Sequence, residues 1–116
     1  MKIAIVGSRT LKIDNLEDYL IEQPSEIVSG GAVGIDDCAK AYAVSKGIPY
    51  TEFLPKYEMY GRAAPIRRND QIVQYADLVI AFWDGRSVGT KYVIEACRRF
   101  HKPLIVNRLV ADKDER

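Results

Sequence analysis

Short apolar runs alternate with longer amphipathic ones through almost the whole chain, and this constrains the fold more than any other feature. Strands separated by helix-length segments pair in parallel and make an α/β domain. The first apolar run, Lys2 to Val6, is closed by Gly7-Ser8-Arg9. A helix is expected from Asp14, with Asp14 capping, Glu17 completing a capping box, and Leu16, Tyr19 and Leu20 facing inward until Pro24 ends it. Glu26 to Ser29 reads as the second strand. The next helix carries Ile35, Cys38, Ala39, Tyr42 and Ala43 on one stripe, with Gly47 as its stop. Tyr50 to Leu54 is a third strand, and Pro55 to Arg62 reads as a loop suited to act as a lid. A third helix is expected over about Ala64 to Tyr75, a fourth strand over Leu78 to Trp83, a fourth helix over Gly89 to Phe100 and a fifth strand over Leu104 to Val106. The expected organisation is one domain over residues 1–107 and a charged, frayed tail over 108–116.

Parallel sheets bind ligands at the carboxyl ends of their strands, where the strand order reverses. The loops after strands one, two and four all carry glycine with hydroxyl or charged partners. In Ser29-Gly30-Gly31-Ala32-Val33-Gly34-Ile35-Asp36 the glycines let backbone N–H groups approach an anion, and a helix N-terminus follows. The spacing is neither Gly-x-Gly-x-x-Gly nor a P-loop. Asp36 has two readings, a ribose-binding carboxylate or a first-turn residue matched to the helix dipole. In Trp83-Asp84-Gly85-Arg86-Ser87-Val88-Gly89-Thr90, the hydroxyls of Ser87 and Thr90 and the amides near Gly89 suit a phosphate, and Asp84 suits a ribose hydroxyl. Ser87 as a plain helix cap is the alternative. Arg9, just past the first strand, can reach phosphate or remain a solvated surface group.

Composition excludes several classes. Seventeen basic against sixteen acidic residues leave a net charge of +1, with 28% charged and 47% hydrophobic residues, which argues against disorder and against a polyanion specialist. Residues 1–53 nonetheless carry five basic and eight acidic groups, and residues 54–102 nine and five, so the positive side lies in the later half. Cys38 and Cys97 form no Cys-x-x-Cys pair, and His101 is the single histidine. A zinc site or disulfide framework therefore lacks its parts, and no metal or required cofactor is expected. The apolar start is too short for a signal-peptide core or a membrane span, so a cytoplasmic protein without membrane attachment is expected.

Ile5-Val6-Gly7-Ser8-Arg9, Val28 to Asp36, Arg67-Arg68-Asn69 and Asp84 to Thr90 together resemble the SLOG superfamily. That group joins the Smf or DNA-processing proteins, the Lonely-Guy phosphoribohydrolases and small standalone domains related to YspA and YpsA. The resemblance spans residues 2 to about 107 and is nearest to the YspA-related members, through the stretch from Trp83 to Thr90. It implies a Rossmann-like three-layer sandwich with about five parallel strands in the order 3-2-1-4-5, and a nucleotide-type ligand. The Lonely-Guy signature Pro-Gly-Gly-x-Gly-Thr-x-x-Glu is broken here. Gly85, Arg86 and Ser87 replace its first three residues, and Val93 stands where the glutamate of N-glycosidic cleavage would be. Glu95 lies about 200° further round the helix. The DNA-processing pattern Gly-Ala-Arg-Gly-Ile-Asp also loses its arginine, at Val33.

The expected ligand site is Gly7, Ser8, Arg9, Ser29, Gly30, Gly31, Gly34, Asp36, Arg68, Asn69, Asp84, Ser87, Gly89 and Thr90. The amides of Gly30, Gly31, Gly89 and Thr90 would hold phosphates, Arg9 and Arg68 would neutralise them, Asp36 or Asp84 would take ribose hydroxyls, and Tyr57 or Tyr60 would close over a base. Arg68 and Asn69 enter through the resemblance, a solvated helix face being the alternative. The ligand expected is a nucleotide or a nucleotide derivative such as an ADP-ribose relative, with no catalytic residue assigned. Two other functions remain open: hydrolysis of a nucleoside monophosphate, and single-stranded DNA binding through Arg62, Arg67, Arg68, Tyr57, Tyr60 and Trp83. A homodimer through the exposed Tyr-Met-Tyr segment is a further expectation.

Overall fold

The computed structural model describes residues 1–110, so most of the expected tail, including Asp112 to Arg116, lies outside the described residues. Five parallel strands, β1 (Lys2–Gly7), β2 (Glu26–Ser29), β3 (Tyr50–Glu52), β4 (Leu78–Trp83) and β5 (Leu104–Arg108), form one sheet in the order β3-β2-β1-β4-β5. The expected α/β architecture and strand order are thus present. Four helices accompany them: α1 (Ile35–Lys46), a single turn α2 (Tyr57–Tyr60), α3 (Ala64–Tyr75) and α4 (Val88–Arg99).

The central strands β1, β2 and β4 are buried on both faces, which is why β1 and β4 read as continuous apolar runs, while the edge strands β3 and β5 are only partly covered. On one face Ile3, Ile5, Ile27, Ile80 and Phe82 pack against Ile35, Ala39 and Ala43 of α1. On the other Ala4, Val28, Val79 and Ala81 pack against Ile72 and Val73 of α3 and Val93 and Cys97 of α4. Each Ile or Phe buried in this way contributes about 1.5–3 kcal/mol. Cys97 is part of that core, where burial pushes its thiol up to about 11, whereas Cys38 is half-buried and its Sγ accepts the Ile13 N–H at 3.4 Å.

Two segments depart from expectation. The helix expected from Asp14 is only a 3-10 turn, Leu16–Tyr19, preceded by Asn15 with no side-chain capping bond, and neither Asp14 nor Glu17 forms the expected capping box. Leu16 is still buried, and Tyr19 and Leu20 pack against the core beside it. The apolar stripe there is one turn long, too little to nucleate a helix when Pro24 follows so soon. The segment Pro55 to Arg62, expected as a loop, instead makes α2 and a 3-10 turn, Gly61–Ala63, that run directly into α3. Smaller differences are at strand ends: β3 stops at Glu52 and β5 runs on to Arg108.

Two glycines let α1 approach the sheet. A Cβ on Gly7 would lie 2.5 Å from Ile35 Cγ1. Gly34, with φ of 84°, would place one within 2.9 Å of the carbonyl oxygens of Ser8, Arg9 and Leu11. Only glycine fits either place. Lys46 is the last residue of α1, and the Gly47 N–H closes it by bonding to the carbonyls of Ala43 and Val44.

Candidate functional site

The strand order reverses between β1 and β4, and their carboxyl ends are level, Gly7 lying opposite Phe82. A cleft of about 180 Å³ opens there. Of the residues expected at the ligand, Gly7, Arg9, Gly30, Asp36, Arg68, Asn69, Ser87, Gly89 and Thr90 line it, while Ser8, Ser29, Gly31, Gly34 and Asp84 do not.

The residues outside the cleft hold its walls. Ser8 is buried; its N–H donates to the Phe82 carbonyl at 3.0 Å and its Oγ accepts the Asp84 N–H at 3.1 Å, which ties the first loop to the fourth-strand loop. Asp84 organises that second loop. Its Oδ1 accepts the N–H groups of Arg86 and Ser87, each at 2.8 Å, and its Oδ2 accepts the Thr10 hydroxyl at 2.8 Å. Burial alone would raise its pKa, but these donors prevail and hold it at about 2. The structure therefore gives Asp84 loop contacts in place of the cleft position expected for a ribose acceptor. Gly31 turns away from the cleft toward Glu52, whose Cδ would lie 2.7 Å from a Cβ there. Ser29 Oγ is fully buried beside Asp36 and Tyr50, with no hydrogen-bond partner within 3.5 Å among the described residues.

Inside the cleft, Asp36 sits in the first turn of α1, 6% exposed, with Oδ2 accepting the N–H groups of Gly30 and Ala32 at 3.2 Å each. Burial raises its pKa above the ordinary carboxylate value, and the Ala32 and Gly30 amides and the Arg68 charge offset only part of that rise. The Gly30 amide expected to meet a phosphate thus already has a carboxylate partner. Arg68 reaches over from α3: Nη1 donates to the Gly30 carbonyl at 2.8 Å and Nε to Asn69 Oδ1 at 2.9 Å. Its pKa is lowered by burial, against the pull of Asp36. At the start of α4, Ser87 Oγ accepts the Thr90 N–H at 3.3 Å, so Ser87 is the helix cap and the Thr90 amide is satisfied within the protein. Gly89 at the next position back is open; a Cβ there would meet nothing within 4 Å. Arg9 is exposed on the rim.

The chemistry available is anion binding: a half-buried guanidinium and an amide side chain on one wall, an open helix N-terminus on the other, and a fixed carboxylate between the loops. Val93, at the place of the Lonely-Guy glutamate, is buried and lines the cleft, whereas Glu95 is exposed and does not. Cleft space of about 180 Å³ is less than the roughly 300–1,000 Å³ of a site that encloses a drug-sized ligand. A space of that size has room for a group as small as a phosphate but does not enclose a whole nucleotide. A groove of about 550 Å³ runs instead along the flank of α1, lined by Lys12, Asp14, Cys38 and Tyr42, with its lysine and aspartate exposed. No group of three or more metal-ligating side chains is present among the described residues.

Some contacts were not foreseen from the sequence. Thr10 supports Asp84, and Arg108 at the end of β5 lies over the Trp83 ring at 5.8 Å. The floor of the cleft is made by Ile72 and Val93, which helical periodicity marks as core rather than site. Tyr57 is 60% exposed within electrostatic range of Arg68, and Arg67 lies over the Tyr60 ring at 5.6 Å.

Comparison with known proteins adds the following. Residues 1–57 match the family model of DNA recombination-mediator protein A. That match takes in the first two loops of the site and stops before α3 and the fourth-strand loop. The Gene 61 protein of Mycobacterium phage D29 is 34% identical over 117 aligned positions, covering 90% of this chain and 94% of the phage protein. No solved structure matches the chain. No helix among the described residues is long and apolar enough to cross a membrane.

Proposed function

We propose a function from the premise that this chain belongs to the family of the phage D29 Gene 61 protein, with a SLOG-type first half like that of DNA recombination-mediator protein A. The chain binds a nucleotide or nucleotide-derived ligand, its phosphate held in the cleft between β1, α3 and α4. The observation that carries this reading is the convergence of Arg68, Asn69 and the open amide end of α4 at Gly89 on one small cleft at the sheet's reversal point. Asp36 takes a sugar hydroxyl through Oδ1, because its Oδ2 is held by the Gly30 and Ala32 amides. Tyr57 covers the base outside the cleft. Two free cysteines and a phosphate ligand suit the cytoplasm.

Calorimetry with a panel of nucleotides and ADP-ribose derivatives tests the reading. Arg68→Ala is expected to weaken binding by roughly tenfold to a hundredfold, the value of a charge-assisted hydrogen bond. Silence across the panel, or unchanged affinity in that variant, would contradict it.

A second reading is single-stranded DNA binding, favoured by the DNA recombination-mediator match and by the exposed Tyr57, Met59, Arg62 and Arg67 on α2, the turn after it and the start of α3. Affinity for an oligothymidylate that falls steeply with salt, and falls again with Arg67→Ala, would support this reading. Salt-independent affinity would remove it.

A further inference from the structure

Among the described residues that line the cleft, the charged ones are Arg9, Asp36 and Arg68. Arg9 stands on the rim, so the interior opposes one guanidinium to one carboxylate. The two flank the same point: a Cβ on Gly30 would lie 2.9 Å from Arg68 Nη1 and 3.1 Å from Asp36 Oδ2. Both side chains thus pack against Gly30, and an anion that reaches the Arg68 guanidinium from the cleft comes close to Asp36. The carboxylate cannot swing aside without giving up the Gly30 and Ala32 amides that hold it. Around it, β3 contributes Tyr50 and Glu52, the latter against Gly31, and the first loop contributes Arg9 on the exposed rim, so among the described residues that line the cleft Arg68 is the one cation in its interior.

Resting on the reading of this cleft as a phosphate site, we propose that Asp36 makes it selective for the charge of that phosphate. It takes a phosphate group that carries a single charge, as at an internucleotide diester or at each phosphorus of a pyrophosphate bridge, and disfavours the doubly charged terminal phosphate of a nucleoside monophosphate.

Doubling the charge doubles the attraction to Arg68 and to the partial charge at the α4 terminus, about half a unit. It also doubles the repulsion from Asp36, and the cost of leaving water grows with the square of the charge. The balance therefore turns against the dianion. The geometry agrees, because a diester must leave the site on both sides. The cleft is open past Gly89, beside which Val88 is 81% exposed, and its small volume does not enclose a whole ligand.

The test compares adenosine and guanosine 5′-monophosphates with their methyl esters by calorimetry on the whole chain. At about pH 7.5 the esters are expected to bind about tenfold tighter, a difference of about 1.4 kcal/mol. At about pH 5, below the second phosphate pKa of about 6, the monophosphates are expected to approach the esters. Asp36→Asn, which keeps an oxygen for the Gly30 and Ala32 amides, is expected to close the gap at the higher pH. Monophosphates that bind as well as their esters at about pH 7.5 would overturn the selectivity and leave the phosphate site standing. If none of the four probes binds, the phosphate site itself falls. Should the variant fail to fold, the two pH arms on the natural chain still decide.

Discussion

Asp36, in the first turn of α1, and Asp84, directly after β4, each accept the amides of a glycine-containing loop, yet the fold drives their carboxyl pKa values in opposite directions. Asp36 is buried and its pKa is raised, whereas the donors around Asp84 overcome its burial and hold its pKa at about 2 against an ordinary 3.8. A carboxylate with a lowered folded pKa contributes stability above its unfolded pKa and loses that contribution as the pH falls through its folded pKa. Asp84→Asn is therefore expected to destabilise the protein at neutral pH, by an amount that shrinks between about 3.8 and about 2. Denaturant titrations of both proteins across that range check this, and a difference that stays constant would show that Asp84 is not ionised in these bonds. The first-turn place of Asp36 was one of its two readings in the sequence, but the amides that each carboxylate accepts were not legible there. A glycine-loop aspartate can face its own amides or a ligand, and rotamer and neighbouring chain decide between them, neither of which spacing records.

At the scale of elements, legibility followed the length of the apolar pattern. The bounds expected for β2, α3 and β4 are those observed, because each has an apolar pattern that spans the whole element. Leu16, Tyr19 and Leu20 show the same spacing over a single turn, and there the chain forms only a 3-10 turn. The aromatic segment after β3 offered neither period and became α2. Gly34 links these elements to the site, since it lets the start of α1 pass beneath the first loop, within 2.9 Å of three carbonyl oxygens for any added Cβ. Gly34→Ala is expected to cost about 2 kcal/mol or more through φ strain and this clash, seen as a lower denaturation midpoint. An unchanged midpoint would mean that the loop yields and that the packing of Ser8 against α1 is not rigid.

For the whole molecule, the strand order brings loops distant in sequence to one edge and so makes a site from short motifs. The near-neutral total charge conceals this, because Arg68, from the basic later half, is carried to loops from the acidic first half. The place of the cleft could be read in advance from the rule for parallel sheets; the self-satisfied amides of its glycine loop could not. A titration of isotopically labelled protein with ADP-ribose, followed by amide and side-chain NMR signals, tests the central claim most directly. The largest shifts are expected at the Gly89 amide, the Asn69 side-chain amide and the Arg68 Nε–H, with Cys38 and Tyr42 in the larger groove unmoved. Shifts confined to that α1 flank, or none at the strand ends, would contradict the account.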